Sequence, residues 1–424
     1  MVGPTAAHGR RPCLADRRQH PSTRDRLGLV FVGQEHLLHA LVNLTFVALA
    51  AAFLADTSGR TDTGSFRRLC ILAAVLPLIR YEGLFAVAIV SAILIARRRL
   101  TEAVVLGAIA LVPVVAYGAI SKSLGWYWLP NSVLLKGSRP DLSSWRGLID
   151  ALGYVSYSRL MELPAVAFLL YAAIGAFLLR LARTDRDDLQ WMLGIFIALT
   201  LLHTQFAQPE AFWFFRYEAY VVVLGCVVVG RALTQWLAAG RQEGWSMPRS
   251  AAVELGVLVL LALSPLSNRA VQALSNIPQA TTNIYEQQYQ MGLFVKQFYE
   301  GMPVALNDIG AASFLGDIEC VDLAGLANLD VARRRLQGLY ESEDIQEVTN
   351  TSGAPIAIVF DSWFGNALPA TWRRAGTWTI RNNVVEGSDT VTFYAIRPTA
   401  LGPLRLHLSE FSRQLPPTVT ARFY

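Results

Sequence analysis

Long apolar segments separated by short charged breaks constrain this chain of 424 residues more than any other feature. A helix needs about 20 apolar residues to cross a bilayer, and several segments reach that length. Two segments are shorter and are separated by the sequence RYEG, which predicts a helical hairpin with a charged tip. The pattern predicts an α-helical polytopic membrane domain of about eight membrane segments, two of them short. The segments are 36–56, 69–79, 84–96, 102–120, 161–181, 189–206, 217–239 and 250–266.

Composition supports a membrane protein and argues against a nucleic-acid partner. Hydrophobic residues make up 53% of the chain and charged residues only 16%, whereas soluble domains carry about 25% charged residues. The net charge of +5 comes from arginines at the ends of apolar segments, where they act as topology signals. We therefore expect the lipid bilayer, and no nucleic acid, as a partner. The cysteines are far apart and predict neither a disulfide nor a metal site; they are Cys13, Cys70, Cys226 and Cys320.

Arginines follow every second boundary between apolar segments, and this alternation predicts the orientation of the chain. Lys and Arg are retained on the cytoplasmic side during insertion. If these arginines are cytoplasmic, the other helix ends and the C-terminal part of the chain are external. The arginines are Arg60, Arg67, Arg68, Arg97, Arg98, Arg99, Arg180, Arg183, Arg186, Arg231, Arg241 and Arg249.

Residues 1–29 do not fit the alternation. Residues 1–28 carry six arginines, which favours the cytoplasm, yet Gly33 is predicted to be external and the intervening run LGLVFVG is too short to span. No signal-peptide pattern is present. We expect an atypical Arg-rich N-terminus, disordered or non-native, on a chain that lacks upstream transmembrane sequence; an inverted first loop is the alternative.

Four polar and aromatic breaks are predicted to share the external face. They are GQEHLLH at 33–39, RYEG at 80–83, WYWLPNSVLLKG at 126–137 and HTQFAQPEAFWFFRYEAY at 203–220. Charges at membrane depth are costly, so they form pairs, line wet cavities or serve function. Taken singly, the aromatic residues also suit the interfacial aromatic belt.

The charged residues in these breaks differ in how strongly they indicate a binding function. Arg80 with Glu82, and Arg216 with Glu218, are equally consistent with ion pairs that only lock helix ends. Lys136 is one of three lysines in an arginine-rich chain. A compact ammonium after Pro130 indicates a point charge of the kind that binds phosphate.

From about residue 267 the composition changes, and strand and helix signals alternate. Short runs rich in β-branched and aromatic residues predict strands at 303–307, 318–323, 355–360, 376–380 and 390–396. Helical periodicity covers 283–300 and 328–350, with Asn328 or Asp330 as the N-cap. The sequence therefore predicts a small external α/β domain at 267–400 after a membrane domain at 30–266, with a C-terminal tail at 401–424. The turn at 307–317 is expected to be structural rather than ligand-binding.

Several motifs together resemble those of bacterial polytopic glycosyltransferases of the GT-C superfamily. They are GQEHLLHAL, LPLIRYEGLF, WYWLPNSVLLKG, FFRYEAY and VALNDIGAASFLGDIECVDLAGLANLDVARRR, which match GxE, RxEG and LPNxxxxK patterns followed by a periplasmic domain. The resemblance covers about residues 30–397. It implies transfer of a sugar from a polyprenyl-phosphate donor to a cell-envelope glycan or lipid acceptor, on the external face of the bacterial cytoplasmic membrane. The acidic residue that the superfamily carries in its first external loop has no counterpart here, so we expect this polypeptide alone to be inactive or impaired.

The resemblance also implies roles for particular residues. Arg80 and Lys136 are expected to bind the donor phosphate, because cations lower the barrier where a leaving group gains negative charge. Glu82 is expected to hold Arg80, and Glu218 to hold Arg216. Asn131, in the LPNxxxxK pattern, is placed with the substrate-binding residues. Two titratable groups, Glu35 and His203, are the general-base candidates.

Other functions remain open on the sequence alone. No metal ligands are predicted, and a divalent cation is left open as a cofactor. Short, interrupted helices with charged tips also suit a transporter or flippase of a lipid-linked or anionic solute. A non-catalytic membrane protein that binds envelope glycans is the third reading. The donor sugar, the acceptor and the oligomeric state do not follow from the sequence.

Overall fold

The structure is a computed structural model that describes residues 34–56, 62–137, 144–150, 153, 156–181, 187–206, 213–242 and 249–424. The predicted atypical N-terminus at 1–29 lies outside the described residues.

The first part of the described chain is helical, and helices cover the eight predicted apolar segments, with the segment 161–181 divided between two helices. The longer helices carry the apolar runs, and a 3₁₀ turn at Trp213–Glu218 precedes α10. The helices are α1 (His36–Ala55), α2 (Thr63–Ile79), α3 (Gly83–Ala96), α4 (Leu100–Ser123), α5 (Asn131–Lys136), α6 (Trp145–Asp150), α7 (Ser156–Glu162), α8 (Pro164–Arg180), α9 (Asp188–Phe206), α10 (Ala219–Gln242) and α11 (Arg249–Ile284).

Among the described helices, four are long and apolar enough to cross a membrane: α1, α4, α9 and the helix formed by the 3₁₀ turn with α10. A fifth span results if α7 and α8 count as one, although the chain bends by 119° between them. α3 is apolar but has only 14 residues, and α2 has 17 with Pro77 inside. Length and composition thus establish four or five candidate spans, rather than the predicted eight.

The helices pack around a buried apolar core, with α1 in contact with α2, α9 and α10. Phe46, Leu54, Phe196 and Tyr220 are at most 2% exposed in this core. Gly83 lets α3 approach α2, because a Cβ at this position would lie 2.8 Å from Leu76 Cβ.

Three of the predicted cytoplasmic arginines bind the ends of α1 and α9 that lie away from the RYEG turn. Arg97 donates to the Leu54 carbonyl at the end of α1. Arg231 Nη2 donates to Asp188 Oδ2 at 2.7 Å, at the start of α9. The Arg99 guanidinium lies 4.2 Å from the centre of the Phe53 ring. Only Arg97 satisfies a helix-end carbonyl; Arg231 pairs with a carboxylate and Arg99 lies over a ring.

The C-terminal part forms a six-stranded mixed sheet with helices. After a π-helical segment at Tyr285–Tyr289, the elements are α12 (Gln290–Tyr299), β1 (Pro303–Leu306), α13 (Gly310–Gly316), β2 (Glu319–Asp322), α14 (Leu329–Gln337), α15 (Ser342–Ser352), β3 (Ile356–Val359), β4 (Arg373–Thr379), β5 (Thr390–Ala395), α16 (Leu401–Phe411) and β6 (Thr420–Phe423). The strand order is β2-β1-β3-β5-β4-β6. β1 pairs in parallel with β2 and β3, and the other pairs are antiparallel.

The predicted strands and the Asn328 cap are present in this sheet domain. Asn328 Oδ1 accepts from the backbone N–H groups of Asp330 and Val331 at 3.1 and 3.2 Å. The helix predicted at 328–350 is two helices, because Gly338 adopts a positive φ of 70° between them.

One predicted boundary is wrong, and another falls inside a helix. The tail predicted at 401–424 is part of the domain: α16 buries Leu404, Leu408 and Phe411, and β6 pairs with β4. The composition changes near 267, but α11 continues to Ile284, because a helix ends where its backbone pairing stops and not where its hydropathy falls.

Candidate functional site

A cleft of about 710 Å³ opens at one end of the helical bundle. It lies where the start of α1, the α2–α3 turn, α5, the end of α9 and the start of α10 meet. One part of its wall is ionic and another is apolar. The ionic residues are Glu35, Arg80, Glu82, Lys136 and Arg216, and the apolar ones include Ile79, Leu84, Phe85, Val114, Val133 and Phe206.

Arg80 is the most firmly held side chain in the cleft. Its Nη1 donates to Glu35 Oε1 at 2.5 Å, and its Nη2 donates to Glu82 Oε1 at 2.6 Å. Burial raises the pKa of both carboxyls, but other contributions outweigh it and leave both pKa values below their usual range. At Glu82 the main one is the Arg80 guanidinium; at Glu35 a backbone hydrogen bond and His36 come first, and Arg80 adds to them. Both carboxylates are therefore ionised at neutral pH, and Arg80 is electrically compensated.

Arg216 reaches the cleft from the 3₁₀ turn before α10. Its Nη1 donates to Gln34 Oε1 at 3.1 Å. The Tyr217 ring centre lies 5.0 Å from the guanidinium carbon of Arg216 and also 5.0 Å from that of Arg80. One aromatic ring thus orients two cations, since a guanidinium is attracted to a ring face at this distance.

Lys136 ends α5 on the far wall of the cleft, and its side chain is exposed. Within the described part of the chain, Lys136 forms no ion pair with a carboxylate. Its charge acts on Asp308 of the sheet domain: burial raises the pKa of that carboxyl, and Lys136 offsets part of the rise. Lys136 is therefore a cation in the cleft whose charge is not compensated by direct pairing with a described residue.

Three predicted site residues lie outside the lining of the cleft. Asn131 is buried, and its Nδ2 donates to the Gly325 carbonyl at 3.0 Å, so it joins α5 to the sheet domain rather than to a substrate. His203 is 2% exposed, and its Nδ1 lies 3.0 Å from Tyr220 Oη inside the bundle. Glu218 is also buried at 2% exposure. Burial beneath the cleft removes His203 as a direct base for a bound acceptor.

The structure adds residues that the sequence argument did not single out. Gln34 and Tyr217 line the cleft and hold Arg216. Gln34 is adjacent to Glu35 in GQEH, and Tyr217 is adjacent to Arg216 in FRYEAY. This adjacency to predicted site residues was the signal that could have identified them. Asp308, near Lys136, was assigned only to a structural turn. Among the described residues, no three His, Cys, Asp or Glu side chains converge as metal ligands.

The architecture defines a class: a bundle of apolar helices with an ionic cleft at one end, joined to a mixed α/β domain. A family model described as a domain of unknown function (DUF8728) matches residues 282–394, from the end of α11 to β5. This is what the sheet domain is similar to, and it covers about a quarter of the chain. No curated protein matches the chain.

Proposed function

We propose that this protein is a multi-pass membrane glycosyltransferase that takes a sugar from a polyprenyl-phosphate donor and transfers it to a cell-envelope glycan or lipid acceptor. We place the cleft and the α/β domain on the external face of the bacterial cytoplasmic membrane. One observation carries the proposal: the cleft combines an exposed lysine, two oriented arginines and two carboxylates with an apolar wall.

The shape of the cleft supports a lipid-borne anion as its ligand. Apolar residues from α2, α3, α4 and α9 line one wall, and such a wall suits a polyprenyl chain. The ionic wall carries three cationic and two carboxylate side chains, so it favours an anionic group. A ligand with an apolar tail and a phosphate head matches both walls at once.

Lys136 is the residue that we assign to the donor phosphate. Arg80 is neutralised by Glu35 and Glu82, whereas Lys136 forms no such pair with a described residue. As the glycosidic bond breaks, negative charge grows on the phosphate oxygen that leaves, and a cation fixed beside that oxygen lowers the barrier. Arg80, paired with Glu35 and Glu82, then stabilises the wall of the cleft and does not bind phosphate directly.

Glu35 is the carboxylate that we assign to the acceptor hydroxyl. Its side chain is 44% exposed, while that of Glu82 is 21% exposed. A backbone hydrogen bond, His36 and the ion pair with Arg80 hold its pKa below the usual range, so it accepts a proton only as the hydroxyl attacks and not beforehand. This order of events fits a transfer in which bond cleavage leads.

The test measures binding and transfer separately in purified protein reconstituted into vesicles. Radiolabelled polyprenyl-phosphate sugar is supplied with a glycan acceptor, and Lys136→Ala is compared with Lys122→Ala, whose lysine ends α4 and does not line the cleft. We expect Lys136→Ala to lose donor binding and transfer, and Lys122→Ala to retain both. Movement of the labelled donor across the vesicle membrane without any glycosylated product would instead identify a transporter.

A further inference from the structure

A second cavity, of about 280 Å³, lies at one edge of the sheet domain. Met302 and Pro355, which come just before β1 and β3, line it together with Arg397, which comes just after β5. β1 and β3 are parallel to each other and β5 is antiparallel to β3, so these three residues share one edge of the sheet. The end of α12 and the start of α16 supply the other walls.

This edge of the sheet is the one farther from the helical bundle. Two contacts with the bundle come from the opposite edge, where β1 and β2 end. Asp308, after β1, lies near Lys136, and Gly325, after β2, accepts a hydrogen bond from Asn131. The cavity is therefore separate from the ionic cleft, and the residues assigned to sugar transfer do not line it.

The polar groups of the cavity favour an anion. Apart from the buried Tyr299, its polar side chains are Arg397, Thr399 and His407, and all three can donate hydrogen bonds. Among the described residues that line the cavity, none is Asp or Glu. Within the described chain, the exposed Arg397 guanidinium forms neither an ion pair nor a hydrogen bond. Its positive charge is thus available to a ligand.

Two aromatic residues fix the position of His407. Its ring stacks on Phe298 with the ring centres 4.4 Å apart, and its Nδ1 lies 3.1 Å from Tyr299 Oη. Burial raises the pKa of Tyr299 and lowers that of His407, so the hydroxyl is protonated and the imidazole is neutral at pH 7. When the hydroxyl donates to Nδ1, the ring proton is on Nε2, which forms no hydrogen bond with a described residue.

We propose that this cavity binds a small carboxylate carried on an apolar ring. The planar guanidinium of Arg397 can hold a carboxylate through two parallel hydrogen bonds, a geometry that the point charge of a lysine does not offer. Thr399 and His407 line the same cavity as further donors.

The size and the walls of the cavity select the body of the ligand. A cavity of roughly 150 Å³ holds benzene, so about 280 Å³ has room for one ring and a carboxylate group. A sugar ring fits less well, because its hydroxyl groups would lose hydrogen bonds to water against apolar walls. The apolar lining residues are Phe298, Met302, Pro355, Ala400 and Pro403.

Equilibrium dialysis tests the site without any sugar donor, so its outcome is independent of the proposed transferase activity. Radiolabelled phenylacetate is the probe, phenylacetamide is its uncharged counterpart, and glucuronate is a carboxylate on a polar ring. Each is measured with the full chain in detergent, and detergent alone is the blank. Arg397→Gln is compared with Arg405→Gln, which changes an exposed arginine on α16 that does not line the cavity.

We expect phenylacetate to bind the unaltered protein and Arg405→Gln with equal affinity, and Arg397→Gln at least about tenfold more weakly, since one hydrogen bond to a charged group is worth that factor. Phenylacetamide and glucuronate should each bind the unaltered protein at least about tenfold more weakly than phenylacetate. A circular dichroism spectrum checks that Arg397→Gln retains the fold.

Three results would overturn the assignment. The first is no saturable binding of phenylacetate to the unaltered protein, and the second is equal affinity for phenylacetate in Arg397→Gln and Arg405→Gln. The third is binding of phenylacetamide or glucuronate as tight as that of phenylacetate, because the carboxylate or the apolar ring would then not be recognised.

Discussion

Glu386→Gln should abolish most of the pH dependence of stability in the sheet domain. The pKa of Glu386 is about 8 in the folded protein, against 4.5 for the free side chain, because burial disfavours the charged form. One pH unit of difference corresponds to about 1.4 kcal/mol. Ionisation of Glu386 therefore destabilises the fold by up to about 5 kcal/mol.

The direction follows from which state binds the proton. Between pH 4.5 and pH 8, the folded protein keeps the Glu386 proton and the unfolded chain releases it, so stability falls as pH rises through this window. Below pH 4.5 the protonated Glu386 contributes its full stabilisation of the folded state, and above about pH 8 this stabilisation is lost. Asp308 has a raised pKa as well, and it acts in the same direction.

The assay is differential scanning calorimetry of the full chain in detergent with EDTA present, between pH 5 and pH 9. For a domain of 150–250 residues, 1 kcal/mol shifts the unfolding midpoint by about 2–4 °C. We expect the midpoint of the unaltered sheet domain to fall by roughly 10 °C across this range, and that of Glu386→Gln to fall much less. Glu319→Gln, on the domain surface, should follow the unaltered protein. If Glu386→Gln showed the same slope as the unaltered protein, the argument from burial would be refuted.

Two further predictions concern packing and the contact between the two parts of the chain. Asn131→Ala removes the hydrogen bond to the Gly325 carbonyl, which is worth about 1 kcal/mol. It should speed amide hydrogen exchange in the loop at 323–328. Unchanged exchange in that loop would show that this hydrogen bond does not hold the loop against α5. Gly83→Ala places a Cβ 2.8 Å from Leu76 Cβ and should destabilise the α2–α3 hairpin by about 1–3 kcal/mol in thermal unfolding. Gly230→Ala in α10, where a Cβ meets no atom within 4 Å, is its control and should be neutral or stabilising.

Several features could be predicted from local sequence because their physical cause is local. Apolar runs favour helices in a membrane, and helices do cover the eight predicted segments, although 161–181 is divided between α7 and α8. The short length of α3 was evident from its sequence. The strands of the sheet followed from β-branched and aromatic runs, and the Asn328 cap followed from its position before a helix. The tail at 401–424 was missed because the apolar face of α16 becomes meaningful only against β4 and β5.

Part of the candidate site was also visible in the sequence. A charged break between two apolar helices has few places to lie, so Arg80 and Glu82 were predictable as a pair. Lys136 stood out because lysine is rare in this chain. The sequence did not predict which of the other polar residues face the cleft. His203 and Glu218 are close in sequence to residues that line the cleft, but both side chains are buried in the bundle.

The sequence by itself determined the apolar helices, the ends at which arginines gather and the residues capable of binding an anion. Only the tertiary structure decided which of these residues meet. Arg80 contacts Glu35 across 45 residues, Asn131 contacts Gly325 across 194, and Gln288 contacts Glu386 across 98. The reason is physical: hydropathy and backbone preference act over a few neighbouring residues, whereas side-chain partners are set by how helices and strands distant in sequence pack together.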